Sequence, residues 1–342
     1  ANAELALGQF AQARDEFIRV LDGSAALPDY ETTDRLADRY NLARARFNLR
    51  EFGVVAQDLG ALVPEMDRHI GAQHDRTIKA RSLWAQSLAE VGQYERAVDV
   101  ERANLANART RSATDDVVSP QELTLAKLLK IAVRPREGLP FARSGLAFVD
   151  AKYREPNWLS EVGRRLLAEL LLEDGQLDEA LRVLALAVER SRRIDNHASH
   201  TSYADLLQVQ ALALRLRAGS GDMARSVELL GQAQSIYLKS LGPSNPASLR
   251  CATHLAWLQA QQPDADALAE QCFAKAANAY EATLPVAHVV HAELELMRAE
   301  LGVRPGSAAP LRLQAQARAQ SARHGWAVAM GVEFRPPLVG LH

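Results

Sequence analysis

The chain has few cysteines and few aromatic residues. Of its 342 residues only two are cysteines, Cys251 and Cys272, and aromatic residues make up 6%. Two thiols cannot build a disulfide framework or a four-ligand zinc site, so the sequence leaves the redox compartment open. Free cysteine is a common small core residue, and we expect both thiols to be packed. The remaining composition, dominated by Ala, Leu, Arg, Glu and Gln, favours an all-α protein.

The chain also lacks a charge imbalance and a long apolar run. Its 40 basic and 42 acidic residues give a formal net charge of -2, which argues against nucleic-acid binding by this region. No run of 18 apolar residues and no signal-peptide pattern occurs, so no membrane span is predicted here. The chain begins at Ala1 in a helical pattern already in progress, and we expect it to be a piece of a longer protein. We favour a periplasmic location, with the cytoplasm as the alternative.

Catalytic and metal-binding motifs are missing as well. The sequence contains no H-E-x-x-H, no G-x-x-x-x-G-K-[ST] and no G-x-S-x-G. Two histidine pairs, His197 with His200 and His288 with His291, are spaced so that each could share a helix face. A metal site needs three or four ligands, so we interpret them as capping and surface residues. We therefore predict no catalytic residue, no metal and no cofactor.

What the chain does have is a repeated hexapeptide. GQFAQA ends at Ala13, GQYERA at Ala97 and GQLDEA at Ala180. Weaker copies extend the series of final positions, which is Ala13, Val55, Ala97, Gly138, Ala180, Ser226 and roughly Ala269, with differences of 42, 42, 41, 42, 46 and 43. Small residues seven positions before each turn keep the same period, at Ala43, Ala85, Ala126 and Ala168 and, less regularly, Ala213 and Ala256. A fixed period of this length indicates stacked structural units.

Each unit has the pattern of a helical hairpin. In the third, Ile78, Leu83 and Leu88 recur at helical spacing, a turn follows at Gly92, and Ala97 lies near the start of the next helix. A small residue where two helices cross lets their backbones approach closely. One hairpin cannot cover its own apolar face, so neighbouring hairpins must stack. The 46-residue interval predicts a short insertion in the turn at 219–222.

These residues resemble the tetratricopeptide repeat (TPR), in the long form of about 42 residues found in kinesin light chains and many bacterial regulators. The resemblance implies a right-handed α-α superhelix of about seven to eight hairpins over residues 1–323, the first truncated and the last, 286–323, weakly marked. Residues 324–342 would form a C-terminal cap.

The resemblance also places a partner-binding surface. In the family the first helix of each hairpin, helix A, lines the concave face, which here implies Tyr40, Arg44, Lys79, Gln86, Lys127, Lys130, Arg165, Glu169, Arg250 and Trp257. Several are basic, so an acidic protein or peptide partner would suit them; the alternative is a plain solvated face. Only Asn41 keeps the family's inward asparagine, since the comparable positions are Leu83 and His254, and this departure counts against the family's peptide-backbone clamp.

Two functions follow as hypotheses. The first is a non-catalytic binding and sensing module of a larger bacterial signalling protein, resembling the sensor regions of eukaryotic-type Ser/Thr kinases, with a homodimer compatible with that role. The second is the ligand-responsive region of a winged-helix transcription regulator. A self-contained enzyme is disfavoured because none of the three catalytic or phosphate-binding motifs named above occurs.

Overall fold

The chain folds into α-helices, most of which pack against the helix that follows them in the sequence. The computed structural model describes residues 1–24, 31–111, 115–259, 266–283 and Leu294. Two compact units are present, Ala1–Leu128 (unit 1) and Leu129–His342 (unit 2). Unit 1 holds α1 Asn2–Ala6, α2 Phe10–Ser24, α3 Thr32–Asn48, α4 Phe52–His69, α5 Asp75–Glu90, α6 Tyr94–Arg111 and most of α7 Asp115–Ile131. Unit 2 holds α8 Pro135–Lys152, α9 Trp158–Glu173, α10 Leu177–Ser191, α11 Thr201–Arg217, α12 Asp222–Leu241, α13 Pro246–Gln259 and α14 Asp266–Thr283.

The all-α fold predicted from the sequence is confirmed. A short 3-10 turn, His197–Ser199, is the one further regular element, and the described part of the chain contains no β-strand. The final hairpin (286–323) and the C-terminal cap (324–342) lie outside the described residues, apart from Leu294. None of the described helices is long and apolar enough to cross a membrane.

The predicted register agrees with the packing. The hexapeptide anchors fall on the fourth residue of the second helix in each hairpin, and Ala13, Val55, Ala97 and Ala180 are all 0% exposed. Ser226 is also fully buried but is the fifth residue of α12, and the turn before it, 218–221, has four residues where the turns 91–93 and 174–176 have three. The small residues of the first helices are buried too, from Ala43 to Ala256. Ala269 lies in α14, but its side chain is outside the described set.

The repeated glycine has a backbone reason. Gly8, Gly92 and Gly175 take φ of 76°, 82° and 81°, in the left-handed region that favours glycine. The residue after each donates its N–H to a carbonyl five positions back, as Gln93 N does to Leu88 O at 2.8 Å, which ends the helix in a Schellman turn. Arg50 and Val133 stand at the equivalent positions in the weaker copies and adopt φ of 63° and 56°. The same left-handed turn therefore forms in the weaker copies, although glycine is replaced there by Arg50 and Val133.

An ion pair recurs where a first helix meets the second helix of the preceding hairpin. Arg81 Nη2 lies 2.5 Å from Asp67 Oδ1, and Arg164 Nη2 lies 2.5 Å from Asp150 Oδ2. At the junction of α6 and α7 the charges are exchanged, with Arg109 on the second helix and Glu122 on the first, 3.0 Å apart. An ion pair thus occurs at all three junctions, and at one of them the basic and acidic residues have exchanged helices.

Candidate functional site

Four of the ten residues predicted for the binding surface lie together in unit 1. Tyr40, Arg44, Lys79 and Gln86 line one cavity of about 250 Å³, and a cavity of about 390 Å³ shares the first three of them. We call the combined depression the unit 1 groove; its lining is Tyr40, Asn41, Arg44, Asn48, Asp75, Arg76, Lys79, Ser82, Leu83, Gln86, Pro120, Gln121 and Thr124.

Helical periodicity explains why these residues meet. Tyr40, Arg44 and Asn48 are four residues apart on α3, so they lie above one another on one face. α5 contributes Lys79 and Gln86, which are seven residues or about two helical turns apart, and α7 contributes the lining from Pro120 to Thr124. α3, α5 and α7 are each the first helix of their hairpin, and the resemblance placed the predicted binding surface on the first helices.

The groove carries an excess of positive charge. Arg44, Arg76 and Lys79 line it against one carboxylate, Asp75. Lys79 Nζ lies 2.6 Å from Asp75 Oδ2, and its hydrogen bond holds the pKa of that carboxyl below the usual range. Arg44 makes a 3.2 Å bond to Asn41 Oδ1 and lies 5.8 Å from the Tyr40 ring centroid, but no carboxylate of the described chain pairs with it.

Aromatic and amide groups complete the lining. Burial raises the pKa of Tyr40, so its hydroxyl stays neutral and can both donate and accept. Gln121 is 6% exposed, and its carboxamide oxygen has no hydrogen-bond partner within the described ranges. An acceptor buried without a partner is costly, which makes Gln121 a candidate contact for a donor brought by a ligand.

Beneath the groove lies a buried polar cluster that the sequence analysis missed. Ser82 Oγ donates to Glu101 Oε1 at 2.7 Å, and Asn104 Nδ2 donates to the Ile78 carbonyl at 3.1 Å. Glu101 and Asn104 are both 0% exposed. The available signal was the apolar face of α6, where these two polar residues interrupt the series from Ala97 to Ala108.

In unit 2 the predicted charged residues bond to one another. Glu169, 3% exposed, accepts from Lys130 and, at 2.5 Å, from Arg165 Nη1. Burial alone would raise the pKa of Glu169, but Arg165 and Lys130 outweigh it and lower that pKa to about 2. Arg165 also lies 3.9 Å from Asp205, whose carboxylate accepts from the Tyr237 hydroxyl. These side chains form an internal ion network, so their charges are largely compensated within the protein.

The other three predicted residues are dispersed. Trp257 is 0% exposed, and the Arg215 guanidinium lies over one face of its ring at 3.7 Å from the centroid, so the ring offers no exposed surface to a partner. Arg250 is partly exposed on α13, and Lys127 is exposed on α7. Neither of them lines the unit 1 groove.

The histidine pair at positions 197 and 200 makes structural contacts. His200 accepts from Ser202 N as a helix cap and stacks on Trp158 at 4.0 Å, while His197 meets Tyr203 edge-on. Cys251 and Cys272 are free thiols. No group of three or more His, Cys, Asp or Glu that could hold a metal occurs among the residues described. His288 and His291 lie outside those residues.

Comparisons with known proteins identify the architecture. Neither a protein-family model nor a curated protein matches the sequence. Among solved structures, a Rap protein complexed with Competence and Sporulation Factor matches with a TM-score of 0.64 at 13% identity, over 93% of this chain and 88% of its own. The apo form of RapI matches at 0.55 and 14%, over 94% and 84%. A Podosopora anserina protein, described as a kinesin light chain with nearly identical TPR-like repeats, matches at 0.52 and 18%, over 61% and 98%.

The chain folds as a TPR array. The predicted resemblance to repeats of the kinesin-light-chain type is therefore confirmed at the level of fold. Identities of 13% to 18% establish the fold and nothing beyond it.

Proposed function

We propose that this TPR array is a non-catalytic binding module and that the unit 1 groove holds an acidic peptide segment of its partner. The observation that carries the proposal is the positive lining around Arg44, which has no carboxylate partner in the described chain. A guanidinium that points into a groove binds a carboxylate with charge-assisted hydrogen bonds.

The shape of the groove favours an extended chain over a compact small molecule. Its cavities of about 250 and 390 Å³ lie below and just above the lower limit of about 300 Å³ for pockets that hold drug-sized ligands, and each can take about one or two side chains. A peptide also brings backbone N–H donors, one of which could satisfy Gln121. The neighbouring Rap protein was solved with a bound factor, which supports a binding role for such an array.

Unit 2 is the less suitable location for an acidic partner. Lys130 and Arg165 already neutralise Glu169 there, and a ligand carboxylate would have to compete with a buried one. We therefore place the recognition of acidic groups in unit 1.

Binding of a matched pair of peptides tests this function. One peptide alternates Glu with Ala, the other Gln with Ala, and both carry a rhodamine label for fluorescence anisotropy. We expect the Glu peptide to bind and the Gln peptide to bind at least about tenfold more weakly, because two ion pairs are lost.

Variants locate the site. Arg44→Glu with Lys79→Glu should weaken binding of the Glu peptide at least about tenfold by like-charge repulsion. Arg19→Glu with Arg68→Glu is the matched control, since both arginines are exposed on second helices and neither lines the groove. Equal loss in both double variants would indicate non-specific attraction, and equal binding of the two peptides would refute the proposal.

The wider role is proposed on the resemblance alone. We infer that the array is the sensor region of a bacterial eukaryotic-type Ser/Thr kinase, with the winged-helix transcription regulator as the alternative. Sequencing the gene upstream of Ala1 tests this. A kinase domain followed by about 20 apolar residues would support the first, and a basic recognition helix the second.

A further inference from the structure

A buried carboxyl group lies directly behind the lining of the unit 1 groove. Ser82 lines the groove and bonds to Glu101 at 2.7 Å, and Asn104 Nδ2 lies 3.2 Å from Ser82 Oγ and 3.4 and 3.3 Å from the two Glu101 oxygens. Arg81 donates to Asn104 Oδ1 at 3.4 Å, which fixes the orientation of that amide. Ser82 is therefore shared between the groove and the buried acid.

No cation of the described chain bonds to Glu101. The nearest on α5, Arg81, is paired with Asp67 of α4 at 2.5 Å, and Glu122 of α7 is held by Arg109 of α6. Burial raises the pKa of Glu101 to about 8, against the smaller opposing effects of Ser82, Asn104 and Arg81. At neutral pH the group is therefore mostly protonated.

We propose that the unit 1 groove binds its anionic partner together with one proton held on Glu101. The inference rests on the proposed function and adds its regulation. A Ser82 hydroxyl has one proton. An ionised Glu101 requires that proton, whereas a protonated Glu101 can supply its own and leave the hydroxyl free to donate to a ligand. Ionisation also places a negative charge beneath a groove that receives a carboxylate.

The affinity of the Glu–Ala peptide as a function of pH tests the coupling. We expect its Kd to stay nearly constant from about pH 7 to about pH 8 and to rise about tenfold per pH unit above that. The peptide carboxylates stay ionised over this interval, since ordinary Glu titrates near pH 4.3. Burial raises the pKa of Tyr40, which keeps it neutral as well.

Glu101→Gln is the decisive variant. It keeps the shape and the hydrogen bonds of a protonated carboxyl but cannot ionise, so its Kd should be independent of pH over the same interval. Ser82→Ala should weaken binding and reduce the pH slope. His74→Asn, at the helix cap of α5 and outside the groove lining, is the control variant and should keep the pH dependence of the wild type. Identical pH profiles for Glu101→Gln and the wild type would overturn the inference.

Two further measurements separate the possible failures. The raised pKa of Glu101 contributes stability that is fully present below the unfolded pKa near 4.5 and is lost as the pH rises through about 8. Thermal unfolding temperatures should thus fall between about pH 5 and about pH 8 in the wild type and level off above that, with no such fall in Glu101→Gln. If that variant does not fold, titration calorimetry of the wild type at about pH 9 in buffers of different ionisation enthalpy should show uptake of about one proton per peptide. Binding with no proton uptake refutes the coupling alone, whereas no binding at any pH refutes the groove and the coupling together.

Discussion

The turn at Arg50 allows a sharp test of the repeat. Arg50 adopts φ of 63° at the position where the strong copies of the hexapeptide have glycine. Its side chain is exposed and makes no hydrogen bond or ion pair in the described structure, so replacing it removes no contact. The left-handed conformation costs a non-glycine residue about 1 to 2 kcal/mol, and glycine loses about 0.4 to 1 kcal/mol through its freer unfolded chain.

We therefore expect Arg50→Gly to stabilise the protein by about 1 kcal/mol. In a unit of this size that corresponds to a rise of about 3 °C in unfolding temperature. Arg50→Ala is the matched control, because it removes the same side chain but keeps the backbone strain, and it should change the stability little. The free energies of unfolding of the variants are measured by chemical denaturation monitored by circular dichroism.

The reverse change should have the opposite sign. Gly92→Ala places a Cβ at φ of 82° and should destabilise by about 1 kcal/mol. If Arg50→Gly is no more stable than Arg50→Ala, the left-handed turn is not a source of strain, and the explanation of the hexapeptide glycine given above is wrong.

The remaining predictions concern packing between and within hairpins. Glu122→Arg places a like charge opposite Arg109 and should lower the free energy of unfolding by about 2 kcal/mol, since Glu122 is buried but Arg109 is half exposed. Adding Arg109→Asp should restore most of the lost stability, because other junctions, such as Arg81 with Asp67, already have the arginine on the first helix and the acid on the second. Chemical denaturation of the two variants checks this, and a double variant no more stable than the single one would contradict it. Ala180→Asp buries a charge at a site that is 0% exposed and should cost at least about 3 kcal/mol, whereas Arg182→Asp, on the exposed side of α10, should be nearly neutral in thermal unfolding. A parent-like melting curve for Ala180→Asp would show that the register is wrong.

The candidate site was predictable in part. Tyr40, Arg44, Lys79 and Gln86 could be placed on one surface because the 42-residue period and helical spacing assign equivalent positions to the same face. Glu101 could not be assigned to the site from the sequence, since its relation to the groove runs through Ser82 on another helix. The sequence shows that a polar residue interrupts the apolar face of a helix, but it does not show which residue on another helix will bond to it, because that depends on how the helices pack.

The sequence by itself determined the period, the hairpins, the buried small residues and a common face of the first helices in unit 1, because all of these follow from local helical geometry. The tertiary structure decided which charged residues on that face stay available. Lys130 and Arg165 are compensated because α7 and α9 bring them to Glu169, while Arg44 keeps its charge open because no carboxylate of the described chain reaches it. Two side chains on one face are placed by the spacing along one helix, but whether they pair depends on distances of a few ångströms between neighbouring helices, and only packing sets those distances.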